Sequence, residues 1–223
     1  VNRSLVRHLI VKDFQLHRAS IIGSIAAGVL CLVIFQFRGL VGLLGIIGFF
    51  TALVVLGSMI PHASVVSERK GQNLAFLMSL PISSIQYTMA KILAALGMFL
   101  IPWLTLVISA MTLMLSRSDI PNGVIPVVLI LVILPLIGFC AQTSIALVGE
   151  SEGWVIASTI ATNVSYSFAW PLIFSNAELR ASATSPTLLW SPIVLKILGL
   201  EFVAIAGILA ITFYVQARKK DFV

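Results

Sequence analysis

The chain has 223 residues, 59% of them hydrophobic and 10% charged, with a formal net charge of +6 and a mean hydropathy of +1.10. Soluble globular domains carry about 25% charged residues, so this chain lacks the polar surface that such a domain needs. What remains is an all-α membrane protein, one transmembrane domain over residues 1–223. The basic excess points to lipid and not to nucleic acid: there is no basic face interleaved with aromatics, and Lys and Arg flank apolar runs instead.

In chain order, the first element is an amphipathic stretch from Leu5 to Leu16. Leu5, Val6, Leu9, Ile10 and Phe14 share one face, and Arg3, Arg7 and Lys12 lie on others. This is the pattern of an interfacial elbow helix on the inner leaflet or of a plain charged anchor. Six apolar runs of spanning length follow, at about 19–37, 39–60, 92–115, 124–149, 154–174 and 198–215, since a spanning helix needs about 20 mostly apolar residues. In the second run Gly39, Gly42, Gly45 and Gly48 recur every third residue, the spacing that lets helix backbones approach closely in lipid.

The basic residues set the expected orientation. With the N-terminus inside, the inner segments hold Arg3, Arg7, Lys12, Arg18, Arg69, Lys70, Lys91, Arg218, Lys219 and Lys220. The outer segments hold only Arg38, Arg117, Arg180 and Lys196. The positive-inside rule then places both ends in the cytoplasm of a multi-pass protein of the cytoplasmic membrane.

The segment between the second and third runs carries the most information. It opens with Glu68, Arg69, Lys70 and Gly71, just past a span. Leu74, Leu77 and Met78 then fall on one face of a short amphipathic helix. Pro81 ends that helix, and Ser83 with Gln86 forms a capping box for the next one, stapled by Ile82 and Tyr87. A charged bend, a short crosswise helix and a capped re-entry make a surface for a cytoplasmic partner, or else a solvated charge cluster at a helix end.

The order Glu68-Arg69-Lys70-Gly71, Leu80-Pro81-Ile82-Ser83 and Lys91, with the opening Leu9-Ile10-Val11-Lys12-Asp13-Phe14, resembles the ABC-2-type permeases. These are membrane subunits of bacterial ABC exporters. The resemblance implies six spans, an N-terminal elbow helix and a coupling helix within residues 67–91. It further implies a cytoplasmic ATP-binding cassette subunit that carries ATP and Mg, and a second permease chain, identical or related, that completes the pathway. Glu68, Arg69, Lys70, Gly71, Leu74, Leu77, Met78 and Pro81 would meet the ATPase, with Glu150 and Glu152 as a smaller second contact. The chain has no Gly-x-x-x-x-Gly-Lys-Ser/Thr loop of its own, so ATP hydrolysis is expected on the partner and this chain is expected to be neither an enzyme nor a cofactor binder.

Inside the spans, Ser158, Thr159, Thr162, Asn163, Ser165 and Tyr166 form a polar stripe, and Gln142, Thr143 and Ser144 end the preceding run. Polar groups at that depth face protein or a watery cavity. They line a substrate path, with Ser158, Thr159, Thr162, Asn163, Tyr166 and Gln142 as the candidates, or they bond helix to helix. Glu201 is the one acid placed near a span, with Lys196 close by. It is either the ion site of a gradient-driven secondary transporter, which is the competing functional class, or part of a short re-entrant element after Pro186 and Pro192. Trp103 beside Pro102 is a packing residue at a kink. Cys31 and Cys140 lie in apolar runs, which suits no disulfide, and His8, His17 and His62 have no metal-ligand spacing.

Overall fold

A computed structural model of the chain describes residues 3–66, 84–149 and 151–218. Among them the regular structure is entirely helical. The helices are α1 (Arg3–Phe35), α2 (Leu40–Pro61), α3 (Ser84–Ser116), α4 (Val124–Val148), α5 (Glu152–Ser175), α6 (Ala177–Ala183) and α7 (Pro192–Arg218), with a π-helical turn, His62–Val66, continuing α2. Five stretches are long and apolar enough to cross a membrane: Ile10–Phe35, Leu40–Val66, Tyr87–Ser116, Val124–Val148 and Pro192–Arg218. This is the composition of a multi-pass membrane protein.

Three sequence expectations change. The fifth run does form a helix close to its expected bounds, but α5 is too polar to stand with the other five. The elbow is not a separate element, because α1 runs unbroken from Arg3 to Phe35. The break expected near Glu201 is absent as well: α7 starts at Pro192 and carries Lys196 and Glu201 within it. Proline fits the first turn of a helix, where its missing N–H would have had no partner, so Pro192 starts this helix instead of interrupting it.

The glycine stripe explains how the bundle begins. Gly39 has φ 72°, a conformation that an L side chain resists, and it turns the chain from α1 into α2. A Cβ on Gly42 or Gly45 would collide with the backbone at the end of α1, around Phe35 and Phe37, and one on Gly48 would meet the Cys31 sulfur. The stripe therefore seats α2 against α1 within the chain.

The core lies between α2, α3 and α4. Leu53, Ala95, Met98, Phe99, Leu106 and Val132 are fully buried. Phe99 stacks on Phe139 with ring centroids 4.4 Å apart. Trp103, buried beside Pro102, donates its Nε1–H to the Val132 carbonyl at 2.9 Å, which satisfies the indole in a medium without water. Helix α7 runs parallel to α4, and α5 packs along α4 through Gln142, Thr159 and Thr162. A second, smaller apolar cluster joins Val65, Val66, Ile92, Ala146, Leu147 and Val155. It marks one end of the bundle, here called the base. The opposite end, the crown, holds the α3–α4 connection and α6.

Candidate functional site

The base brings together both roots of the 67–91 segment. Lys91 lies in the second turn of α3, and its Nζ donates to Asp13 Oδ2 of α1 at 2.7 Å, with the two side chains 2% and 3% exposed. The same ammonium reaches the Ser64 carbonyl, in the π turn, at 3.4 Å. One buried cation thus joins α1, the last described turn before residue 67 and the helix that follows residue 83. Removing two charges from water is costly, and their mutual attraction in the interior offsets that only when geometry is good. A π turn placed at the same point is a frequent mark of functional segments.

The residues from Glu68 to Pro81, including Arg69, Lys70, Gly71, Leu74, Leu77 and Met78, lie outside the described residues, as does Glu150. Glu152 opens α5 at the base and is exposed. Sequence reasoning put Lys91 at the end of the connecting segment, just before the third span, whereas the structure has it inside α3 and paired with Asp13. The available signal was helical spacing. Asp13 sits beside Ile10 and Phe14, residues that pack against the core, and an acid on a buried face is usually paired.

The polar stripe is mostly a lock between α4 and α5. Gln142 donates from Nε2 to Thr162 Oγ1 at 2.8 Å and accepts from Thr159 Oγ1 at 3.1 Å. Ser158 and Asn163 turn back on their own helix, bonding the Val155 and Thr159 carbonyls. Beside this net, Gln142, Thr162, Asn163 and Tyr166 line a cavity of about 20 Å³ together with Gly57 and Gly138. That is room for one water molecule, and the buried Tyr166 hydroxyl has no hydrogen-bond partner among the described residues. As packed, the stripe bonds helices and borders a small cavity.

On α7 the buried positions are Val194, Glu201, Thr212 and Gln216, so three of the four are polar. Thr212 donates to Ser144 Oγ at 2.6 Å, and Gln216 donates to the Leu147 carbonyl at 2.7 Å, both on α4. Glu201 is 5% exposed.

The crown has its own ion pair. Arg117 donates to both carboxylate oxygens of Asp119, also reaches the Phe35 carbonyl at 3.3 Å, and lies over the Phe35 ring at 5.3 Å. The hydrogen bonds from Arg117 hold the Asp119 carboxyl down to about 2, and the same bonds raise the Arg117 guanidinium. Among the described residues no group of three or more His, Cys, Asp or Glu could hold a metal ion.

The chain matches no protein-family model, no curated protein and no solved structure. The functional reading therefore rests on the residues themselves.

Proposed function

We propose that this chain is the membrane subunit of an ATP-driven exporter of the ABC-2 kind, set in the cytoplasmic membrane with its base and both termini toward the cytoplasm. A separate ATP-binding cassette subunit, holding ATP and Mg, docks on residues 67–91, with Glu68, Arg69, Lys70 and Gly71 at the joint and Glu150 and Glu152 beside it. A second permease chain, identical or related, completes the pathway.

One observation carries the reading. Helix α5 has 24 residues, about 36 Å at 1.5 Å per residue, enough to cross a hydrocarbon core of about 30 Å. Yet it is too polar to count among the apolar spans, and within the chain it packs on α4 and α6 and, through Tyr166 and Trp170, on Phe50 of α2. Ala157, Ala161 and Ser165, four residues apart, lie exposed on it. Beside them Ile156, Ile160, Val164, Phe168 and Leu172 are exposed as an apolar stripe that suits lipid, whereas the small and polar positions suit another protein chain or a wet path. Gln142, Thr159 and Thr162 hold α5 on α4 behind that face, with Ser158, Asn163 and Tyr166 beside them.

The coupling segment gives the second support. Lys91 bonds Asp13 and the Ser64 carbonyl, so a push on residues 67–83 meets a buried joint on α1, α2 and α3 together.

The test is co-purification of the chain with its ATP-binding subunit, followed by ATP hydrolysis for the wild type and Glu68→Ala. The proposal expects a stable complex and a loss of transport-linked hydrolysis, of about tenfold or more, in a variant that still folds. If no ATP-binding subunit associates, and uptake follows a proton or sodium gradient and stops with Glu201→Gln, the secondary-transporter reading takes its place.

A further inference from the structure

The seam between α4 and α7 holds a residue that the proposed function does not use. Thr212 beside Ser144 and Gln216 beside Leu147 fix an offset of 68–69 residues between these parallel helices. That register places Glu201 level with Val132 and Ile133 of α4. Counted from Pro192 it lies nine residues into α7, about 14 Å from the helix start. It is 5% exposed, and neither carboxyl oxygen has a hydrogen-bond partner among the described residues.

The charged and titratable groups of the helices packed against α7 leave it unopposed. Helix α4 carries no charged residue, and its Cys140 lies seven residues, or about 10 Å, nearer the base. On α3, Trp103 bonds Val132 and so marks the same level. Lys91 is twelve residues, or about 18 Å, nearer the base, where it pairs with Asp13, and Tyr87 lies farther still. On α6, Glu178 and Arg180 are exposed. On α7 itself Lys196 is exposed, and Tyr214 and Arg218 lie in the last turns, where they contact each other.

We propose that Glu201 is a proton-binding site that governs the packing of α7 on α4. The ligand is a proton: no cavity is needed to seat it, and the neutral acid is the form a buried, unpaired position in lipid accepts. The carboxylate left when the proton departs has no cation beside it and draws water into the seam. Helix α7 is built to respond. It is held by few buried residues, most of them polar, and on its basal half it borders an apolar groove of about 570 Å³ lined by Ile145, Trp154, Ile208, Ile211 and Val215. The packed seam is thus complete while Glu201 is protonated and loosens as pH rises past its titration.

The test uses the chain alone in lipid nanodiscs, so its failure is separate from failure of the exporter reading. With Cys31→Ser and Cys140→Ala as background, spin labels at Leu104→Cys and Leu200→Cys, both exposed, report the distance between α3 and α7. From about pH 5 to about pH 9, the wild type gains a longer-distance population, rising by up to about tenfold per pH unit. Glu201→Gln, isosteric with the neutral acid, stays packed throughout. Infrared spectra of the packed wild type carry a carboxylic-acid carbonyl band that the Gln variant lacks. A wild type that does not respond to pH overturns the proposal. So does a Gln variant that moves with pH like the wild type, one that never reaches the packed state, or a packed wild type without the acid band.

Discussion

The two ends of the bundle each carry an ion pair, and the pairs differ in almost every respect. Arg117 and Asp119 at the crown are two residues apart in sequence, with side chains 20% and 47% exposed. Lys91 and Asp13 at the base are 78 residues apart, with side chains 2% and 3% exposed. A pair in contact with water gains little, because solvent screens it and each partner is well hydrated alone. A pair taken out of water gains little over an apolar pair of the same shape, yet losing one partner strands the other. The crown pair decorates a connection. The base pair makes three chain segments dependent on one another.

Breaking the base pair has the largest expected effect. Asp13→Ala or Lys91→Ala breaks the buried pair and lowers stability by about 3–5 kcal/mol, measured by thermal unfolding in detergent. The double change Asp13→Leu with Lys91→Met restores part of that loss, because neither member of the Asp13–Lys91 pair is left behind. If the single changes cost no more than Arg117→Gln, the contrast between the ends is wrong.

A middle-sized effect belongs to the α4–α5 lock. Gln142→Leu removes both links to α5, to Thr162 and from Thr159, and each interhelical hydrogen bond removed lowers stability by about 0.6–2 kcal/mol. The change is read from unfolding, and proteolysis of α5 should quicken with it.

The smallest effect belongs to the crown. Arg117→Gln changes stability least of the three, because solvent screens the pair. Its pH signature has a definite sign. Asp119 is held down to about 2, so whatever the pair contributes is present above the ordinary aspartate value of about 3.9 and fades as pH falls from there toward about 2. Carboxyl chemical shifts of labelled aspartate, compared between wild type and Arg117→Gln, show the difference directly.

The same contrast explains how far the sequence could be read. Apolar runs of spanning length mark α2 and α4 closely and the C-terminal end of α3, because lipid imposes a composition that leaves few other structures, whereas α3 starts eight residues before its apolar run, at Ser84. The glycine stripe of α2 correctly signals close packing, with α1 as the partner. The elbow boundary fails because Arg7, Lys12 and Arg18 can continue a helix as readily as flank one. The re-entrant reading of Glu201 fails because a proline that looks like a break is well placed at a helix start. The base pair is hidden for a different reason. Nothing local joins Asp13 to Lys91, and only the folded arrangement of α1 and α3 does. For the candidate site, the composition of α5 and the span-to-segment transition at Pro61 are readable, whereas the Gln142 net depends on the rotation of α5 against α4.

The most direct test of the account reconstitutes the chain with the proposed ATP-binding subunit in liposomes and collapses every ion gradient with ionophores. The account predicts that ATP alone then drives substrate movement, that Glu68→Ala abolishes it, and that Glu201→Gln leaves the ATP requirement in place. Movement that ignores ATP, needs a proton or sodium gradient and stops with Glu201→Gln would contradict it.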